Sequence, residues 1–399
     1  MVGVGSAAET NRIPCTLAAL VKKEPVTMPI SISSRDEQPY YPPPESQGGW
    51  RVLEKADDVA AVARMDADRL ERQFELHDYL FGGYSWGTVV VRHGHLVREH
   101  YTFMGLPSSR FDVWSCTKSF TGTAWGMLLE DSRQGRLPNG NAVNLESPAY
   151  ELIQRIPAAM PISDERKKGI TIGHLLTMTS GIPGESMGIY GTPTATGNGP
   201  FEHALGHCPN RYGKSVDQLV ASPGTRWDYS DAAMAHLSLL FSHLAGQEMH
   251  EYMRDRVFEP IGIENASWDV MGGSGFIGPH TNAHVGMHIS ARELTRFGYL
   301  ALHGGQWDGQ QIVPREWMEL ATKSSQPFNP EYGYTWWVNT GGTHWPGLPT
   351  DMFALEGHCC NRCYVIPSLD LVVARVGSGP SRWNETDFIG GVIATIVRD

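Results

Sequence analysis

Long apolar runs are missing from this 399-residue chain. A bilayer-spanning helix needs about twenty consecutive apolar residues, so no membrane partner is expected. Cations are scarce as well. The 32 Lys and Arg face 43 Asp and Glu, a formal charge of −11. With no basic stripe to meet phosphates, nucleic acid and anionic lipid are excluded as main partners. The stretch Met1 to Val26 lacks a basic start followed by an apolar core. It therefore does not read as a secretory signal, and a cytoplasmic location is expected. Cysteine occurs only six times. A chain of this length can bury a large core without cross-links, so reduced thiols are expected. Cys359, Cys360 and Cys363 crowd together, but a tetrahedral zinc site would need a fourth ligand and a second close pair. No repeat and no heptad run is present.

What the chain does hold is Trp114-Ser115-Cys116-Thr117-Lys118 followed by Phe120, Thr121, Ala124, Trp125, Leu128 and Leu129. The apolar spacing is helical. Positions i and i+3 share a helix face, so Ser115 Oγ and the Lys118 amine can meet. A serine hydroxyl is a poor nucleophile until a base takes its proton, and a desolvated lysine can be that base. The first turn of a helix also offers free backbone N–H groups to a developing oxyanion.

Residues 1–54, with Pro42-Pro43-Pro44 and Gly48-Gly49, read as an extended N-terminal arm. Residues 57–78 have helical periodicity. Thr88–Val91 and Leu96–Tyr101 flank a turn at Gly94 and predict a hairpin. Further strands are predicted at Tyr332–Val338, Met352–Leu355, Arg362–Ile366 and Leu371–Val376, and a last helix at Thr386–Val397. The middle, about 120–300, is mostly helical. This order implies a sheet built from both ends of the chain and a second lobe from its middle. Pro183–Lys214 is glycine-rich, long, and predicted to be a lid or binding loop.

Two further stretches complete a candidate site. Tyr229-Ser230-Asp231 stands just before a long helix, and a phenol near a lysine can relay a proton. Glu356-Gly357-His358-Cys359-Cys360-Asn361 lies at a predicted turn. Its backbone N–H groups can supply a second oxyanion donor, and His358 can bind the polar end of a substrate. His280, His284 and His288 recur every four residues, but Pro279, Asn282 and Gly286 argue against the helix that would align them on a metal.

In sequence order these motifs resemble the serine β-lactamase-like superfamily, on the side of class C β-lactamases, family VIII carboxylesterases and related amide hydrolases. Ser115-x-x-Lys118 is similar to its first motif. Tyr229-Ser230-Asp231 is similar to its Tyr-x-Asn motif. Ile172–Ile182 resembles the shared stretch that packs beside the site, and Ile289–Gly298 resembles another shared helix. Gly357-His358-Cys359-Cys360-Asn361 sits where family VIII members carry a His/Trp-x-Gly version of Lys-Thr-Gly. The resemblance covers roughly 55–398.

It implies an α/β (α+β) fold of the β-lactamase/transpeptidase type, an antiparallel sheet flanked by helices plus a mostly helical lobe. The catalytic domain would run over 55–399, with the sheet lobe from 55–114 and 300–399 and the helical lobe from 115–300. It further implies acylation of Ser115 by a small ester or amide, with Lys118 and Tyr229 exchanging the proton. Asp231, His358, Cys360 and Asn361 would line the substrate site, and no cofactor or metal would be needed. A carboxylesterase is the leading expectation. An amidase or peptidase on small amides, an acyltransferase and a weak β-lactamase are the alternatives. A non-catalytic binding module is disfavoured by the intact Ser115, Lys118 and Tyr229. Asp231 replaces the family's asparagine, and a carboxylate there favours a protonated Lys118 and a base role for Tyr229. Cys359 and Cys360 replace glycines and narrow the cleft. His358 replaces a lysine, which weakens recognition of a β-lactam carboxylate. Trp114, Tyr190, Trp227, Trp336 and Trp337 are expected near the cleft.

Overall fold

The computed structural model describes residues 39–397 apart from 104, 193–198, 273–276 and 381–382. In chain order its main elements are strand β1 (Arg51–Val52), helix α1 (Ala67–Phe81), β2 (Trp86–Arg92), β3 (His95–Thr102), α2 (Thr117–Arg133), α3 (Asp231–Ala245), α4 (Ala291–Leu302), β4 (Trp337–Val338), β5 (Phe353–Gly357), β6 (Asn361–Ile366), β7 (Leu371–Gly377) and α5 (Glu385–Ile393). The strands form one seven-stranded sheet in the order β1-β3-β2-β7-β6-β5-β4. Every pairing is antiparallel except β1 with β3. The mixed, mostly antiparallel fold is the one expected. The central pair joins the two ends of the described chain, with Val91 opposite Val372.

Both faces of that central pair are covered, so β2 and β7 are buried along their whole length. The pleat sorts the side chains. Val89, Val91, Val372 and Ala374 pack into the core that holds α4 (Leu294, Phe297) and the buried face of α2. Val90 and Val373 pack with Phe74 of α1 and Phe388 and Ile389 of α5. At Gly298 a Cβ would stand 2.5 Å from Cys363 Sγ, so glycine lets α4 lie close on the sheet.

Several boundaries move from their expected places. The helix expected over 57–78 is broken. Arg64 turns left-handed at φ 51°, and α1 starts only at Ala67, where the Asp66 carboxylate accepts the Arg69 N–H at 2.9 Å. The last helix ends at Ile393, because Ile396 bridges Met65. Of the strand expected over 332–338 only Trp337–Val338 forms, since Thr335 at φ 66° bends the chain and Tyr332 pairs back with Trp337. The arm at 39–54 is not loose wrapping. Trp50 is buried, β1 extends the sheet, and the Pro42 and Pro43 carbonyls accept from buried Arg296. Residues 1–38 lie outside the described residues. The hairpin turn at His93-Gly94 forms as expected, both residues at positive φ. Among the described residues no helix is long and apolar enough to cross a membrane, and the five described cysteines are free thiols.

Candidate active site

Ser115 sits in a single 3₁₀ turn, Trp114–Cys116, that runs directly into α2. Trp114 is left-handed at φ 51°, with its N–H on Asp112 Oδ1 at 2.8 Å. Thr117 Oγ1 donates to Trp114 O at 2.6 Å and accepts from the Met287 N–H at 3.1 Å. One residue type thus closes the turn and ties it to strand Met287–Ile289. Thr121 does the same one turn later, donating to Ala283 O at 2.8 Å. These two threonines draw the 283–287 segment against α2, which delivers the His284 carbonyl to Lys118.

Lys118 is 1% exposed. Its Nζ stands 2.8 Å from Ser115 Oγ, 3.0 Å from His284 O and 2.7 Å from Asp231 Oδ1. An ammonium has three protons, and here each has an acceptor. Asp231 opens α3, where the positive end of the helix also favours a carboxylate. Burial acts to raise its pKa, but the charge of Lys118 and the Gly191 N–H (2.7 Å from Oδ2) bring it down to about 2. The Tyr229 ring faces Lys118 Nζ at 4.7 Å. Burial, and then the charge of Asp231, push its phenol well above the usual range, and Ser115 is near enough to lower it in part. The ring of His284 is buried too, held neutral with a pKa lowered to about 4, mainly by burial. Its Nδ1 finds no partner among the described residues.

Tyr229 is walled in by aromatic rings. Trp227, Tyr332 and Trp337 stand 6.1, 6.0 and 6.1 Å from it, and 5.2 to 6.2 Å from one another. The four rings are packed too tightly to cage a ligand between them. Behind the tyrosine, the Asp228 carboxylate accepts from the Gly184 N–H, the Ser186 N–H and the Ser186 hydroxyl. The Glu185 N–H donates to Tyr229 O at 2.9 Å. At Gly184 a Cβ would stand 2.0 Å from that same carbonyl. The first part of the expected lid, Gly184–Gly191, is therefore a wall bonded to Tyr229 and Asp231. Helix Pro200–Leu205 follows it, and 193–198 lie outside the described residues.

The opposite wall is the β5–β6 turn. A Cβ on Gly357 would stand 2.0 Å from Val113 O and 3.2 Å from the Cys116 N–H nitrogen, so the strand end abuts the Ser115 turn. His358 is exposed, its ring 5.3 Å from that of Trp114. Cys359 and Cys360 both sit left-handed at φ 58° and 64°, and buried Arg375 donates to both of their carbonyls at 3.1 Å.

Four of the expected residues meet: Ser115, Lys118, Tyr229 and Asp231. His358 reaches the rim through Trp114. The structure does not bring the Cys360 and Asn361 side chains there. Cys360 turns inward with Sγ on Pro380 O at 3.2 Å. The Asn361 amide clips the turn to β7 through His358 O (2.6 Å) and both backbone groups of Gly377. The left-handed turn rotates both side chains into the protein. Trp336 is likewise a core residue at 0% exposure, whereas Trp114 is 40% exposed at the rim. His280, His284 and His288 part company: the first pairs with Glu248, the last with Asp269. Sequence reading missed His284 O, Gly191 and the group His344, Glu356 and Glu385. Donor atoms of that trio lie within 4.8 Å of one another, and the cluster is an ion-pair network rather than a metal site. Arg362 already lies among its carboxylates, 2.5 Å from Glu385 and 3.5 Å from Glu356.

Comparison with known proteins bears on the family and the fold. The family model described as Beta-lactamase matches residues 82–384. Protein flp of Staphylococcus aureus (strain MW2) is 25% identical over 167 residues, which span 41% of this chain and 28% of that protein. The chain spans about half the length, or less, of the curated relatives it matches. Among solved structures, EstCE1, a hydrolase with promiscuous acyltransferase activity, superposes with a TM-score of 0.61 at 14% identity, covering 83% of this chain and 99% of that one. A penicillin-binding protein homolog from Caulobacter crescentus gives 0.60 at 15% identity, covering 82% and 97%. At these identities the likeness is one of fold.

Proposed function

Because the chain belongs to the beta-lactamase family of hydrolases, we propose that it is a serine hydrolase that forms an acyl-enzyme on Ser115, with small carboxylic esters as its substrates. The observation that carries this reading is the buried Lys118 ammonium 2.8 Å from Ser115 Oγ, with the Tyr229 ring facing the same ammonium at 4.7 Å.

The three acceptors around Lys118 make it a fixed positive charge in the resting site and leave proton transfer to Tyr229. Ser115 Oγ attacks the acyl carbon while its proton passes to the Tyr229 oxygen, and the phenol's own proton passes to the leaving alkoxide. Alcohol departs and the acyl group stays on Ser115. In the second half, water gives a proton to Tyr229, which returns its own to Ser115 Oγ, and the acid leaves. A phenol that stays neutral at both ends of the cycle suits such a relay, because neither step needs a free phenolate. Lys118 balances the negative charge that builds on the serine and phenol oxygens. The Ser115 N–H and the backbone of the turn after Gly357 are the donors assigned to the carbonyl oxygen. Lys118 is bound to Asp231 and His358 is an exposed ring, which argues against a strong site for a substrate carboxylate.

A fluorophosphonate should label Ser115, read by peptide mass spectrometry, and p-nitrophenyl esters should show a burst. Absence of both overturns the reading. A panel of esters, anilides and nitrocefin, with and without an added alcohol, separates ester hydrolysis from amide cleavage and acyl transfer. Acyl transfer is the second reading, favoured by exposed Trp114 beside the nucleophile, an apolar surface for an acceptor alcohol.

A further inference from the structure

The loop between β4 and β5 folds back on Trp337. Buried Asn339 directs it, with Nδ2 on the carbonyls of Trp345, Leu348 and Pro349 and Oδ1 on the Trp345 N–H. This places His344 between two carboxylates, Nδ1 at 3.1 Å from Glu331 and Nε2 at 2.7 Å from Glu356. Carboxylates only accept, so both ring nitrogens must carry protons, and the ring is an imidazolium. Its face stacks on Trp337 at 4.9 Å and 11°, and Trp337 in turn stacks on Tyr229 at 6.1 Å and 28°. Glu356 immediately precedes Gly357, the residue that abuts the Ser115 turn. Arg362, opposite Glu356 in the sheet, donates to Gly357 O at 2.7 Å.

We infer that His344 is a positioning residue for turnover: as an imidazolium it holds Trp337 against the Tyr229 ring and Glu356 at the strand end beside Ser115. One charged ring thereby links the proton-relay wall to the oxyanion wall. This rests on the serine-hydrolase reading above.

The charge is the working part. The groups facing the ring are Glu331 from the segment before β4, Glu356 from β5 and Glu385 from α5, with Arg362 of β6 beyond them. Burial lowers the pKa of His344, but Glu356 and then Glu331 outweigh it and leave the pKa above the ordinary histidine value. The imidazolium is therefore intact below that pKa and lost as pH rises through it. Deprotonation takes the imidazole donor from one of the two carboxylates and removes the cation from the face of Trp337.

The experiment is a pH profile of kcat for a p-nitrophenyl ester, run on wild type and two variants. Wild type should show an alkaline fall in kcat. In His344→Gln, kcat should drop by about tenfold with KM little changed, and the alkaline fall should vanish. Glu331→Gln, which removes one facing charge, should move the fall to lower pH by about one unit. Nitrogen-15 NMR of the histidines should show both His344 ring nitrogens protonated at neutral pH in wild type, a readout that needs no activity. An alkaline limb unchanged in both variants, or a neutral His344 ring at pH 7, overturns the inference. If His344→Gln does not fold, Glu331→Gln and the NMR signature decide. Fluorophosphonate labelling of Ser115 in each variant separates this from failure of the serine reading, since labelling with no His344 effect rejects only the positioning role.

Discussion

Two charge clusters, one around buried Lys118 and one only partly buried around His344, are built differently. Around Lys118 a single cation serves three acceptors, one of them the nucleophile's own oxygen. Around His344 and Arg362 two cations meet Glu331, Glu356 and Glu385, and no partner there is a reacting group. The first cluster is placed where protons must move, so its balance can be upset by a single transfer. The second is saturated and behaves as scaffold. The contrast teaches that charge near a nucleophile is informative only once its partners are counted.

The largest test of that contrast is Ser115→Ala. It should abolish the burst and lower kcat by roughly a thousandfold or more, with a stability loss of about 1–3 kcal/mol, since buried Lys118 loses one of its three acceptors. Lys118→Met comes next. Removing the cation leaves the Asp231 carboxylate with only the Gly191 N–H and the helix end, a loss of about 3 kcal/mol in chemical denaturation. A smaller loss would mean that the first cluster is as tolerant as a surface pair. Asp231 itself adds a pH signature. Its folded pKa of about 2 lies below the unfolded value near 3.9, so its contribution is present above about pH 4 and fades as pH falls toward 2. Wild type should therefore exceed Asp231→Asn by about 2 kcal/mol at pH 6, and the gap should close through that acid window.

On the other wall, Gly357→Ala should push the strand end off Val113 O, costing about 1–2 kcal/mol and a larger share of kcat than of KM. The smallest effect is expected at Cys359→Gly, where a left-handed position loses its Cβ penalty and stability rises by about 0.5–1 kcal/mol. A fall instead would show that the thiol packs as part of the turn.

The parts of this site that sequence revealed were those whose partners are near in the chain or set by helix spacing. Ser115 and Lys118 are one turn apart, and Tyr229 and Asp231 sit at a helix start marked by Ser230. His284 was visible as one of three regularly spaced histidines, yet what reaches Lys118 is its carbonyl, delivered by Thr117 and Thr121. No side-chain pattern signals that. His344, Glu331 and Trp337 come together through a loop tied by one asparagine, a tertiary event with no local period. Cys360 and Asn361 were misplaced because the strand and turn positions were right but the handedness of the turn was not. Two consecutive non-glycine residues at positive φ are rare, and the Arg375 that steadies their carbonyls lies on another strand. The sheet from both chain ends was legible in the order of strand and helix signals. The break at Arg64 was not, since its neighbours keep helical composition.

That joining of ends has a consequence for how the molecule is made. During synthesis β2 leaves the ribosome early and waits for β7, its partner in the centre of the sheet, with the whole helical lobe emitted between them. Gly357 and its turn depend on β6, which depends on β7. A nascent chain therefore has Ser115 and Lys118 long before it has the wall that faces them. Pairings of this kind form late and leave apolar strand faces uncovered meanwhile. On a chain stalled or truncated before β7, the valines of β2 would stay uncovered along the edge meant for that strand.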